Sequence, residues 1–223
     1  MPDHGKLNPM DERRFSFIDQ LVGQIDQALH ILAGPTPRAQ RVSPAIEKNQ
    51  ADLSEAERAL AGRLMRVNHA GEIAAQALYQ GQALAAKLPA IRISMEQAAR
   101  EENDHLGWTE QRVRQLGTHT SYLNPVWYTG SFLIGALNGL MGDKWSLGFL
   151  AETERQVVEH LHGHLARLPQ ADRESRAILQ QMQADEAQHA TVALASGAEE
   201  LPRPIKLGMR AVSKVLTRVA FWI

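Results

Sequence analysis

Three stretches of the chain place a glutamate three residues before a histidine: Glu102–His105, Glu159–His162 and Glu186–His189. Residues three apart share one face of an α-helix, so each pair could offer a carboxylate and an imidazole to the same metal ion. The motif carries little weight alone. Sixteen Glu and nine His in 223 residues give about 0.6 such pairs by chance. The neighbours of each pair separate the three. Glu102 and His105 fall on an apolar seam with Met95, Ala98, Thr109, Val113 and Leu116, and Glu186 and His189 on one with Met182 and Ala193. Glu159 falls with Glu152, Gln156 and Gly163, a face that reads as solvated. A carboxylate on a solvated face needs no partner, whereas one on a core seam must be paired, protonated or bound to metal.

Two further acids meet the same condition. Glu154 interrupts the apolar run Leu147, Leu150, Val157, Leu161, Leu165 and Leu168, and Glu72 lies along Leu64, Asn68, Ala75 and Tyr79. Glu72 precedes Glu102 by 30 residues and Glu154 precedes Glu186 by 32, so two antiparallel helix pairs would bring the acids to similar heights. One Glu from each of two helices and one E-x-x-H from each of two others form the inward set of a di-iron or di-manganese carboxylate bundle. Four carboxylates balance two divalent cations, and oxygen with imidazole suits iron or manganese. The candidate ligands are Glu72, Glu102, His105, Glu154, Glu186 and His189. His69, three residues before Glu72, reads as a nearby hydrogen-bonding residue, because only the six repeat symmetrically. His160, about 120° around the helix from Glu154, reads as a residue supporting the ligands from behind. An acid precedes each core E-x-x-H, Glu101 in one case and Asp185 in the other, which marks a faint internal repeat.

Composition excludes the main rivals. Cysteine is absent, so no disulfide framework, thiolate zinc site, cysteine-held iron–sulfur cluster or cysteine nucleophile exists. A net charge of −1, from 24 basic and 25 acidic residues, gives no reason to expect nucleic acid as a partner.

The elements that must position these residues are helical. Residues 11–33 space Ile18, Val22, Ile25, Leu29 and Leu32 as an amphipathic helix, ended by Gly34 and Pro35. Residues 35–50 read as a loop. Ser54 and Glu57 form a capping-box pattern opening a long helix to about residue 87. Pro89 starts another to about residue 116. An uncharged helix follows a linker with Asn124 and Pro125, over about 126–141. Asp143 is placed to cap a helix ending near Leu168, and Pro169 to start one ending near Ser196 and Gly197. No stretch alternates as a strand. The expected fold is all-α: a four-helix bundle over residues 51–200, an N-terminal helical extension over 1–50, an interfacial helix, and a basic C-terminal helix over 201–223 of the same domain.

The motifs resemble those of the demethoxyubiquinone hydroxylases of ubiquinone biosynthesis. The run Arg66-Val-Asn-His-Ala-Gly-Glu72, with Tyr79 and Gly81-Gln82 after it, is similar to that family's first metal-binding helix. Glu102-Asn-Asp-His105, Glu154 with His160, and Glu186-Ala-Gln-His189 match its later motifs in order. The resemblance covers about residues 51–223, and residues 1–50 resemble the extension of bacterial members. It implies a ferritin-like di-iron monooxygenase with two iron ions on the six residues and O2 as co-substrate, hydroxylating the ring of a polyprenylated benzoquinol. It also implies a peripheral place on the cytoplasmic face of the cell membrane, with other ubiquinone-biosynthesis proteins or a second copy of the chain as candidate partners. Eukaryotic members carry Tyr where this chain has Leu161, so no role of that Tyr carries over.

Two segments fit a membrane-surface enzyme. Residues 126–141 are too short an apolar run for a ~20-residue span and are interrupted by Gly130, Gly135 and Gly139, so they read as a buried or interfacial helix. Residues 201–223 hold Arg203, Lys206, Arg210, Lys214 and Arg218 and no acid, leaving −6 for the rest. With Leu207, Val212, Val215, Phe221 and Trp222 they read as a basic amphipathic helix for an anionic membrane surface. The first residues are polar, without an apolar signal-peptide segment. The competing reading is a ferritin-like iron-binding or peroxide-scavenging protein, which would need neither segment.

Overall fold

The computed structural model describes residues 17–34, 39–45 and 52–223. Among them the chain forms seven helices and no strand: α1 (Phe17–Ala33), α2 (Glu55–Ala85), α3 (Pro89–Gln115), α4 (Asn124–Leu140), α5 (Asp143–Arg167), α6 (Arg173–Ala195) and α7 (Arg203–Ala220). The four long helices α2, α3, α5 and α6 pair as two hairpins, α2 with α3 and α5 with α6, as expected of a ferritin-like bundle. Ser54 caps α2 in a full capping box with Glu57, an arrangement of about 1 kcal/mol. Pro89 opens α3 at its first turn.

The core has two apolar layers with the acids between them. One layer packs Leu64, Met65, Trp108, Val113, Leu161, Ile178, Leu179 and Met182. The other packs Leu78, Tyr79, Met95, Leu147, Phe149 and Leu150. Each such side chain stabilises the fold by about 1.5–3 kcal/mol on burial, and together they hold the helices in register around a charged middle.

Glycine explains how the uncharged helix fits. A Cβ on Gly81 would strike the Phe132 carbonyl, and one on Gly135 the Leu78 carbonyl. Both positions must be Gly for α4 to lie against α2. α4 thus buries Tyr128, Gly135, Asn138 and Gly139 and leaves Val126, Leu133, Leu137 and Leu140 outside. It is a helix half buried and half exposed, and no described helix is long and apolar enough to cross a membrane.

Several local expectations are corrected. Val22, Ile25 and Leu29 face outward, whereas Leu32 of the expected stripe packs inward with Ala28 and Ile31 against the cluster of Ile73, Ala77, Leu106 and Tyr128, so α1 is turned by about a quarter of a revolution from its apparent stripe. Residues 11–16 of that expected helix lie outside the described residues, as do 35–38 and 46–50 of the loop. Asp143 does not cap α5. Its carboxylate accepts the backbone N–H groups of Lys87 and Leu88 before α3, tying two hairpins together. Helix α6 starts four residues after Pro169, where Asp172 accepts from the Ser175 N–H. Glu152 is buried, not solvated, because Lys206 of α7 covers it at 3.6 Å.

Candidate metal centre

The six predicted side chains converge. Ligand atoms of Glu72, Glu102, His105 and Glu186 lie within 4.8 Å of one another, and so do those of Glu102, Glu154, Glu186 and His189. Glu102 and Glu186 belong to both groups, so each half has two shared carboxylates, one carboxylate of its own and one imidazole. Glu159 and His162 stay outside at the exposed surface, where Arg210 approaches Glu159 at 3.5 Å.

Each imidazole turns Nδ1 to the carboxylates. His105 Nδ1 lies 3.1 Å from Glu102 and from Glu186 and 3.4 Å from Glu72. His189 Nδ1 lies 3.1 Å from Glu186 and 3.8 Å from Glu154. The Nε2 atoms cross over. His105 on α3 donates to Asp185 of α6 at 3.0 Å, and His189 on α6 donates to Glu101 of α3 at 2.7 Å. Such bonds fix the ring orientation and which nitrogen faces the centre. Tyr79 donates its hydroxyl hydrogen to Glu154.

The electrostatics describe a site that needs cations. Burial, with Glu102 close by, raises Glu72 well above the carboxylate range, and burial with Glu186 and Glu102 does the same for Glu154. Burial alone would raise Glu186 too, but hydrogen bonds from His105 and His189 take it below the usual range. Burial would lower both histidines. The facing carboxylates overcome it, raising His105 well above its ordinary value and His189 to about 9. Protons on Glu72, Glu154, His105 and His189 neutralise charge that no Lys or Arg pairs with among the described residues. One oxygen of Glu102 is buried without any hydrogen-bond partner. Four carboxylates and two imidazoles around one unpartnered oxygen fit a pair of divalent cations, which would replace the protons.

A cavity of about 390 Å³ leads to this layer between α2, α5 and α7. Its walls include Ala75, Leu78, Ile134, Phe149, Val157 and Leu216, and Glu72, Glu154 and Glu186 line it as well. His160 stands on the cavity wall, its ring centroid 3.9 Å from that of His164, and makes no hydrogen bond to the six among the described residues. His164 lies 2.8 Å from Asn68 Oδ1. His69 is buried, and its Nδ1 has no hydrogen-bond partner among the described residues.

Sequence reasoning missed Glu101, Asp185 and Tyr79 as supports. The signal for the first two was present as the repeated acid before each motif; its crossed use required the packing of α3 on α6.

Residues 59–220 match the family model described as "Ubiquinone biosynthesis protein COQ7". The chain is 60% identical to a protein of Nitrosococcus oceani named 3-demethoxyubiquinol 3-hydroxylase, over 96% of this chain and 100% of that one. Identity is 55% to a protein of that name from Nitrosospira multiformis, over 92% and 99%, and 54% to one from Stutzerimonas stutzeri, over 95% and 99%. With the bundle, the crossed histidines and the paired carboxylate groups already in place, that similarity along nearly the whole chain makes it a member of the COQ7 family of ubiquinone biosynthesis proteins.

Proposed function

We propose that the chain is a 3-demethoxyubiquinol 3-hydroxylase that binds two iron ions on Glu72, Glu102, His105, Glu154, Glu186 and His189 and uses O2 as co-substrate. The observation that supports this reading most strongly is the cavity that reaches Glu72, Glu154 and Glu186 through apolar walls. Bound iron would supply the activation of dioxygen and the insertion of one oxygen atom into the ring. The chain's own residues do the rest. Glu102 and Glu186 join the two halves, and Asp185 and Glu101 hold the imidazoles. Tyr79 restrains Glu154 by its hydrogen bond. Ala75, Leu78, Ile134, Phe149 and Val157 keep water from the ring. Asn68, Thr153, Gln156 and His160 are among the polar groups on the wall that would orient it.

A polyprenyl tail partitions into a bilayer, and the cavity walls suit its delivery. Ile205, Met209, Val212 and Leu216 of α7 and Ile134 of α4 line the cavity, while Leu207 and Val215 of α7, Trp222 just beyond it, and Val126, Leu133 and Leu137 of α4 are exposed. Lys206 and Arg210 are paired with acids; Lys214 and Arg218 are the cations of α7 left to meet anionic lipid at its C-terminal half. This supports peripheral contact on the cytoplasmic face of the membrane.

Quinone profiling tests the reading. A strain lacking the gene should accumulate the demethoxy precursor, and the wild-type chain but not Glu102→Gln should restore ubiquinone. An unchanged quinone profile on deletion would refute it.

A further inference from the structure

His105 and His189 hold matching places in the two motifs, yet the supports behind them differ. Behind His105, Asp185 Oδ2 accepts from Arg41 Nη1 at 2.8 Å, and Asp185 Oδ1 accepts from Gln181 at 2.9 Å. Arg41 is itself held at several points. Its Nε donates to Asp104 Oδ2 at 2.6 Å, and the neighbouring Gln40 N–H donates to Asp104 Oδ1 at 2.6 Å. Its guanidinium lies 4.8 Å over the Trp108 ring, and the Trp108 indole N–H donates to the Arg41 carbonyl at 3.4 Å. Asp104 and Trp108 belong to α3 and Asp185 to α6, while Arg41 comes from residues 39–45, outside the bundle. One guanidinium thus fastens α3 to α6 directly behind His105.

Behind His189 the support is looser. Glu101 is 40 % exposed. Besides His189 its carboxylate accepts from Gln97, one turn away on the same helix, and no Lys or Arg pairs with it among the described residues. His105 is fully buried, whereas His189 is 15 % exposed.

We propose that Arg41 is a positioning residue that makes the two halves of the centre unequal: by locking Asp185 between α3 and α6 it fixes His105, so the His105 half takes a divalent cation first and more tightly than the His189 half. The proposal rests on the two-metal reading above. A ligand already held in its bound orientation loses less freedom on binding, and groups that orient a metal-binding histidine carry about 10- to 100-fold in affinity. The role requires Arg. Its fork donates to Asp104 through Nε and to Asp185 through Nη1, which the single ammonium of Lys could not do in the same geometry.

The test is anaerobic titration of the metal-free full-length chain with Co2+, read by d–d absorption against a competing chelator. The wild type should show two steps separated by about 10-fold or more. Arg41→Gln should weaken the tighter step by about 10-fold and leave the weaker one, merging the two. Arg41→Lys should fall between. Thermal melting of the metal-free variants separates positioning from simple seating of residues 39–45, because seating alone lowers the midpoint without changing the ratio of the steps. Equal steps in the wild type, or a ratio untouched by Arg41→Gln, would overturn the proposal while leaving the two-metal centre intact. Uptake of fewer than two Co2+ by the wild type would bring down the two-metal reading itself, and the proposal with it.

Discussion

His105 of α3 and Asp185 of α6 are joined by a 3.0 Å hydrogen bond from Nε2 to the carboxylate, and the pair is mirrored by His189 and Glu101 at 2.7 Å. Each E-x-x-H helix supplies the acid that orients the other helix's histidine. The centre is therefore a property of the α3–α6 pairing as much as of either motif.

Asp185→Asn and Glu101→Gln should each weaken divalent metal binding by about 10- to 100-fold. Asp185→Asn should cost more, since Asp185 is 15 % exposed against 40 % for Glu101. Chelator competition measures both. Affinities within twofold of the wild type would show that the crossed bonds do not support the ligands.

Metal binding should release protons. His105 and His189, raised by the facing carboxylates, and Glu72 and Glu154, raised by burial, all carry protons that a cation must displace. Affinity should therefore fall as pH falls, and calorimetry in buffers of different ionisation heat should report about one proton for each displaced group. Buffer-independent heats would contradict this.

Acid stability of the metal-free chain should depend on its buried neutral histidines. Burial lowers His69 and His160 to about 4 and His164 to about 2. Between those values and the unfolded pKa near 6.5, the unfolded chain binds protons that the folded chain does not. Stability from these groups is thus present above about pH 6.5 and lost as pH falls toward the folded values. The raised Glu72 and Glu154 act in the opposite sense, so a comparison of variants isolates the effect. His69→Met should be less sensitive than the wild type between pH 6.5 and 4 by roughly 3 kcal/mol, read from denaturant midpoints. Parallel pH profiles would refute the assignment.

Much of this was legible from spacing. Glu72, Glu102, Glu154 and Glu186 stand on core seams where an acid has no solvation, and the 30- and 32-residue offsets align them once the helices pair. Relations between non-neighbouring elements were not legible. Nothing local to Arg41 says that it meets Asp104 and Asp185, 63 and 144 residues away. The apolar spacing of Val22, Ile25, Leu29 and Leu32 suggested their burial, yet of these four only Leu32 packs inward, beside Ala28 and Ile31. Gly135 read as an interruption of an apolar run and Gly81 as part of a family motif, and only the contact of α2 with α4 shows that they permit its closest approach.

The cavity offers a test that spares the ligands. Gly71 lines it, and beyond its chain neighbours and the adjoining backbone of α2 no atom lies within 4 Å of where a Cβ there would stand. Gly71→Leu should keep the helix, since Leu is favoured over Gly by somewhat under 1 kcal/mol, and should keep the metal. Its side chain would occupy space meant for the ring, lowering quinol turnover by on the order of tenfold or more. Unchanged turnover at full metal content would place the substrate elsewhere.

Iron content per chain tests the central claim most directly. After anaerobic loading with Fe(II) and removal of excess, the account predicts two iron ions per wild-type chain. Because Glu102 belongs to both ligand groups, it predicts loss from both halves in Glu102→Ala, to fewer than one ion per folded chain. Two ions retained by Glu102→Ala, or none bound by the wild type, would contradict it.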